Sequence, residues 1–72
     1  MKLGAMLSKL TRPEIELLEQ NLNLTDDEYV IFIHLTKGRD KGYIADSCNI
    51  SIGTVSNRIA DIKDKLKRLG VI

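Results

Sequence analysis

Apolar residues recur at helical spacing along most of the chain. The first clear set shares one helix face, at spacings of three and four, at Ile15, Leu18 and Leu22. Thr11 precedes this set as a candidate N-cap, Pro13 suits a first helical turn, and Glu14 stands where a capping box requires an acidic residue. The pattern predicts a helix that begins just after Thr11.

The motif TDDE at residues 25–28 repeats this arrangement, with Thr25 as the N-cap and Glu28 as its capping-box partner. The segment YVIFIHL that follows is apolar nearly all round, which predicts a central helix buried on several sides. Its β-branched and aromatic residues also fit a strand, but the capping box before it and Gly38 after it favour a helix. Position and spacing favour helix starts over a catalytic carboxylate cluster for these acidic residues. His34 within the run is expected to be a packed, hydrogen-bonded residue rather than a metal ligand, because the chain has no second histidine.

The apolar spacing breaks once more near the middle of the second half. Asp40 is a candidate N-cap for a helix from about Lys41 to Cys48. Asn49 is one of the few residues other than glycine that accept positive φ, so it can end this helix. Ile50 is then expected to return an apolar side chain to the core.

Ser51 is a strong N-cap for a last helix, which Gly70 ends. Apolar residues recur along one face of that helix at 4-3-4-3 spacing, which makes it amphipathic: Val55, Ile59, Ile62, Leu66 and Leu69. Two helices joined by about three residues form a helix-turn-helix. Ala45 is the small residue at the point where the two helices nearly touch. The apolar residues that fix their crossing angle are Ile44, Cys48, Ile50, Val55 and Ile59.

The predicted fold is therefore all-α, a small four- or five-helix bundle that contains a helix-turn-helix with its recognition helix near residues 51–69. A chain of 72 residues makes a single domain over residues 1–72. Residues 1–10 form an N-terminal extension or a short helix in this interpretation.

Charge is unevenly divided between the two halves of the chain. Residues 1–35 carry three basic and six acidic side chains, whereas residues 36–72 carry eight basic and four acidic ones. The basic half is a candidate polyanion-binding surface, and solvated helix faces explain the same charges equally well. One cysteine excludes an internal disulfide, and no apolar run is long enough for a membrane span. A cytoplasmic protein is expected.

The predicted DNA-contacting residues lie on and beside the last helix. With the apolar stripe facing inward, the residues predicted to contact bases are Ile52, Gly53, Ser56, Asn57 and Ala60. Those predicted to contact phosphates are Arg39, Lys41, Ser51, Thr54, Arg58 and Lys63. Capping alone also explains Ser51 and Thr54. Lys65, Lys67 and Arg68 are expected to be solvated charges that favour the helix C-terminus.

The segment from Leu24 to Gly70 is similar to the four-helix DNA-binding module shared by LuxR-type regulators and bacterial sigma factor region 4. The resemblance is carried by LT..E at residues 24–28, KG at 37–38, IA at 44–45 and IS.GTV at 50–55. The front segment LSKLTRPEIELL resembles small stand-alone sigma-like proteins of Gram-positive phages and mobile elements. The resemblance implies major-groove reading by Ile52, Thr54, Ser56, Asn57 and Arg58. Gly42 departs from the family pattern, where a polar residue and a glutamate usually precede the IA pair.

Two functions fit these observations. The first is sequence-specific binding of double-stranded DNA by a small transcription regulator, helped by homodimerisation or by RNA polymerase. The apolar termini either supply that contact surface or simply pack on the core, and they comprise Met1, Leu3, Met6, Leu7, Leu10, Leu69, Val71 and Ile72. The second is a protein-interaction module that docks on polymerase or a sigma factor without binding DNA, through Glu14, Glu16, Glu19, Asp26 and Asp27. No nucleophile–base pair, metal spacing or phosphate loop predicts an enzyme, a cofactor or a small-molecule ligand.

Overall fold

Every regular element in the described part of the chain, residues 3–71, is an α-helix in the computed structural model. The helices are α1 (Leu3–Ser8), α2 (Arg12–Leu22), α3 (Asp26–Thr36), α4 (Lys41–Cys48) and α5 (Ile52–Leu69). The predicted all-α fold is confirmed, and YVIFIHL lies within α3, so the strand alternative is wrong. Residues 3–8 form the short N-terminal helix rather than an irregular extension.

The predicted helix starts are confirmed, because each predicted N-cap residue precedes its helix in extended conformation. At α3 the capping box is reciprocal. Thr25 Oγ1 accepts the Glu28 N–H at 3.3 Å and Glu28 Oε1 accepts the Thr25 N–H at 3.0 Å. Asp40 Oδ1 accepts the Tyr43 N–H at 2.8 Å, which satisfies a free donor at the start of α4.

Left-handed residues end four of the described helices. The φ angles are 74° at Gly38, 56° at Asn49 and 85° at Gly70, as the sequence predicts. Asn23 ends α2 in the same way at φ 53°, a role that the sequence analysis missed. At the end of α4 the Ile50 N–H donates to the Ala45 carbonyl at 3.0 Å, which satisfies one of the last helical acceptors.

The core lies around α5, which packs extensively against α2, α3 and α4, while α1 covers α3. Its buried apolar residues are Leu3, Leu7, Leu18, Leu22, Ile31, Phe32, Leu35, Ile44, Ala45, Val55, Ile62 and Leu66. The predicted burial of α3 on several sides is wrong for Tyr29 and Val30, each 45 % exposed. Leu69 ends the predicted apolar stripe but is exposed, in the last turn of α5.

The N-terminal apolar residues pack on the core instead of forming a free contact surface. Leu3 and Leu7 are buried, and Met6 and Leu10 pack against the core cluster. Val71 at the other end of the chain is exposed, whereas Met1 and Ile72 lie outside the described residues. Among the helices of residues 3–71, none has both the length and the apolar character required to cross a membrane.

Glu28 and Lys65 form an ion pair between α3 and α5. The Glu28 side chain is 6 % exposed and the Lys65 side chain 27 % exposed, and Lys65 Nζ also donates to the Asn23 carbonyl at 3.2 Å. The prediction of a solvated Lys65 is therefore wrong, because the partner carboxylate is 37 residues away and sequence spacing could not reveal it. The pair fixes the second half of α5 against the start of α3.

Candidate nucleic-acid interface

The turn between α4 and α5 comprises Asn49, Ile50 and Ser51. Ile44 before it and Val55 after it are fully buried, and Ala45 is also buried, so the two helices are held together by apolar contacts as predicted. The prediction that Ile50 returns to the core is wrong, because its side chain is 36 % exposed. It lies instead beside Val30 in a surface groove of about 320 Å³.

The outward face of the first half of α5 carries small or short side chains. Gly53, Asn57 and Ala60 are exposed, Ile52 is 56 % exposed, and Ser56 is half-buried. A Cβ at Gly53 would meet only Ser51 Oγ, at 3.8 Å, so no packing requires a glycine there. These are the five predicted base-contacting residues, and four of them are exposed.

The predicted phosphate-contacting residues fall into two sets, one on each edge of this face. Thr54 and Arg58 line the groove that also contains Ile50. Lys63, with Arg39 and Lys41, lines a separate cleft of about 560 Å³. Because an α-helix turns about 100° per residue, the two sets lie on opposite edges of the outward face.

Ser51 and Thr54 also act locally at the start of α5. Ser51 Oγ accepts the Thr54 N–H at 3.1 Å, and the two hydroxyl oxygens are 2.9 Å apart. The structure therefore confirms the capping function of Ser51. Both side chains remain close to the first turn of α5, where free backbone N–H groups favour an anion.

The side chain of Arg39 is held by two aromatic residues. Its Nη1 lies 2.9 Å from His34 Nδ1, and its guanidinium carbon lies 4.7 Å from the centre of the Tyr43 ring. The His34 and Tyr43 rings contact each other edge to face at 5.7 Å. Since a guanidinium only donates, His34 Nδ1 is the acceptor and the proton of the neutral ring is on Nε2.

Burial of His34, and then the nearby charges of Arg39 and Lys37, lower the pKa of the imidazole below its ordinary value. The neutral ring therefore remains the acceptor for Arg39 near neutral pH. The prediction that His34 is a packed, hydrogen-bonded residue is confirmed. Its partner Arg39 was not predicted from the sequence, although a separation of five residues across a helix end was the available signal.

Arg58 is less free than Lys63. Its Nη1 lies 4.0 Å from Asp61 Oδ2, one turn further along α5. Lys41 and Lys63 form no ion pair with any residue between 3 and 71. Within the same residues, no group of three histidine, cysteine, aspartate or glutamate side chains is arranged to hold a metal ion.

Comparison of the chain with protein-family models, with curated proteins and with solved structures gives no match. The arrangement of charged and exposed side chains therefore carries the functional argument.

Proposed function

We propose that this protein binds double-stranded DNA sequence-specifically, as a small transcription regulator, with α4 and α5 as a helix-turn-helix and α5 as its recognition helix. The observation that carries the proposal is the exposed face of Gly53, Asn57 and Ala60, with cations on both of its edges. A major groove admits an α-helix whose outer side chains are short enough for close approach. The proposed activity is binding, without catalysis.

Three side chains on this face match base edges by their chemistry. Adenine presents an acceptor, N7, and a donor, the N6 amino group, in the major groove. The Asn57 side-chain amide can donate to N7 and accept from N6 at the same time. Ser56 has a hydroxyl that pairs with several bases, and Ile52 offers an apolar surface for a thymine methyl. We assign the main base discrimination to Asn57, because it is the only exposed side chain of the three with two-point hydrogen bonding.

The two edges of the face correspond to the two backbones that border a major groove. Arg39, Lys41 and Lys63 are proposed to contact one backbone. Ser51, Thr54 and Arg58 are proposed to contact the other, aided by the N–H groups of the first turn of α5. Asp61 and Asp64 on later turns would repel phosphate, so only the first two turns enter the groove in this proposal.

A single module of this size covers a short half-site, and specific binding usually requires more contacts. The proposal therefore includes a second copy of the chain or RNA polymerase on the same DNA. Leu69 and Val71 are exposed apolar residues at the far end of α5, and they are available for such a contact.

Selection from random duplexes, followed by a salt titration on the selected sequence, tests the proposal. We expect an enriched motif that includes an adenine whose substitution weakens wild-type binding. We also expect log K to fall with log salt by about 0.9 for each phosphate contacted. The absence of duplex binding even at low salt would overturn the proposal.

A second candidate function is protein interaction through the acidic face of α2. The observation that favours it is a groove of about 530 Å³ in which Glu16 and Glu19 of α2 adjoin Tyr29 and Ile33 of α3. Two cations also line this groove, Lys37 and Arg12, and Arg12 Nε lies 3.9 Å from Glu16 Oε1. Exposed aromatic and carboxylate groups together suit a basic, partly apolar protein surface. If this function is correct, the wild-type chain binds polymerase or a sigma factor, and Glu16→Lys and Glu19→Lys abolish that binding. The wild-type chain then shows no duplex binding.

A further inference from the structure

A cleft of about 560 Å³ separates α1 from the middle of α5. Four segments line it: α1, Leu35 of α3, residues 38–41 at the start of α4, and the α5 turn that contains Ile59 and Lys63. Its volume falls within the range of about 300–1,000 Å³ that is typical of small-molecule sites. The sequence alone predicts no such site, because the lining residues come from distant positions.

The floor of the cleft is apolar. Leu3 and Leu35 are buried core residues, and Ile59 packs against the core. Gly4 adds space on the α1 side, and neither its backbone nor its packing requires a glycine. Its φ is not positive, and a Cβ would meet Leu35 Cδ2 at 3.5 Å, an ordinary contact.

The rim of the cleft is positively charged. Arg39, Lys41 and Lys63 line it, against a single carboxylate, Asp40. Asp40 Oδ1 accepts the Tyr43 N–H at 2.8 Å. Its negative charge leaves the rim, with three cations and one anion, at a net charge of +2. The Arg39 guanidinium contacts His34 and Tyr43, which do not line the cleft. Lys41 and Lys63 are the cations of the rim that form no ion pair with residues 3–71.

We propose that this cleft binds a small amphipathic anion, with its apolar body on Leu3, Leu35 and Ile59 and its carboxylate, sulfonate or phosphate group on the cationic rim. Charge complementarity selects this class over neutral or cationic molecules. The apolar floor selects it over a small inorganic anion, which would leave that floor exposed to water.

The same three cations are assigned above to the DNA backbone. A bound anion would therefore compete with DNA, and by thermodynamic reciprocity DNA would weaken binding of the anion equally. This consequence rests on the proposed DNA-binding function, whereas occupation of the cleft does not. The cleft is thus a candidate effector site that reduces DNA affinity.

Binding is tested by titrating the full chain with naphthalene-2-sulfonate, followed by the amide NMR signals of Gly4 and Gly38. Two probes are the controls: 2-naphthalenemethanol, which keeps the rings without the charge, and methanesulfonate, which keeps the charge without the rings. We expect saturable shifts at Gly4 and Gly38 with the first probe and much weaker binding of both controls. Equal affinity for the sulfonate and the alcohol, or shifts centred elsewhere, would overturn the proposal.

Two variants locate the probe. Lys63→Gln should weaken naphthalene-2-sulfonate about tenfold, as expected for loss of one charge-assisted contact, whereas the exposed Lys67→Gln outside the cleft should not. Ala5→Phe places a ring into the cleft from an exposed lining position, so it should abolish probe binding while the circular dichroism spectrum stays helical. Unchanged probe affinity in both cleft variants would contradict the assignment.

The DNA arm separates the two proposals. If wild-type chain binds the selected duplex, saturating naphthalene-2-sulfonate should weaken that binding, and Ala5→Phe should remove this effect. Probe binding without any duplex binding leaves the cleft assignment supported and overturns only the proposed DNA function. Duplex binding that the bound probe does not change would overturn the effector role.

Discussion

The part of α5 up to Lys63 and the part from Lys65 onward use the same kinds of side chain for different purposes. Lys63 lines an open cleft and forms no ion pair with residues 3–71, whereas Lys65, two positions later, is paired with Glu28 on α3. The part up to Lys63 presents exposed Gly53 and Asn57 to solvent. The part from Lys65 onward buries Leu66 and is tied to α3 by the Glu28–Lys65 ion pair.

This difference teaches that the role of a basic side chain on a helix, in stability or in binding, cannot be predicted from its position in the sequence alone. Lys65 contributes to stability because it faces a buried carboxylate, and Lys63 is available to a ligand because it faces a cleft. Stability and the proposed recognition are therefore separable along one helix. Substitutions in each part should change one property and leave the other nearly unchanged.

Lys65→Met should have the largest effect on stability. It leaves the Glu28 carboxylate nearly buried without its cation, and it removes the hydrogen bond to the Asn23 carbonyl. Breaking a fully buried pair costs about 3–5 kcal/mol, and the partial exposure of Lys65 reduces this to about 2 kcal/mol. Urea unfolding measures the change.

The matched control is Lys67→Met, an exposed residue on the same helix, which should change the free energy of unfolding by less than about 0.5 kcal/mol. The duplex affinity of folded Lys65→Met should equal that of the control. A Lys65→Met protein as stable as the control would show that the ion pair does not anchor α5.

Asn57→Ala should have the largest effect on recognition. The substitution removes the proposed two-point contact with an adenine, at a cost of about 1–3 kcal/mol in discrimination at one base pair. Stability should not fall, because Asn57 is exposed and alanine has the higher helix propensity. Fluorescence anisotropy on the selected duplex and its single-base variants measures the loss. An equal loss on every duplex would contradict base reading by Asn57.

Lys63→Ala should weaken binding to all duplexes alike and lower the salt slope by about 1, as removal of one phosphate contact requires. Because Lys63 lines the cleft beside α1 and forms no ion pair with residues 3–71, the free energy of unfolding should change little. The control variant is Lys67→Ala. A loss confined to particular base sequences would exclude a backbone role for Lys63.

Much of this arrangement is readable from the sequence, because it depends on local chemistry. Thr25 with Glu28, Asp40 and Ser51 identify helix starts, and Asn49 identifies a left-handed helix end. The exposed Ile50 and the paired Lys65 are not readable in this way. Their environments depend on Val30 and Glu28 of α3, which only tertiary packing brings close.

Acidification should destabilise the protein first through His34. Burial and nearby cations lower its pKa below the ordinary 6.5, so the folded chain takes up this proton less readily than the unfolded chain. The free energy of unfolding therefore falls as the pH drops through 6.5. It stops falling from this cause once the pH is below the pKa of folded His34. His34→Gln keeps an acceptor for Arg39 and should remove this phase from urea unfolding curves recorded across pH.

Glu28 should add a second loss at lower pH. Burial raises its pKa, but the Lys65 pair and the Thr25 hydrogen bonds together outweigh burial and bring the pKa below the ordinary 4.5. Its stabilisation is complete above 4.5 and is lost as the pH falls through the pKa of the folded state. Glu28→Gln should reduce this phase without abolishing it, because Thr11 also lowers the pKa of Glu14. A stability that rises on acidification would contradict both assignments.

The most direct test of the division within α5 is an amide NMR map of the full chain titrated with the selected duplex. We expect large shifts at residues 51–60 and at Arg39, Lys41 and Lys63, and small shifts at residues 65–69 of the same helix. Shifts centred on the acidic face of α2, or no shifts with any duplex at low salt, would contradict it.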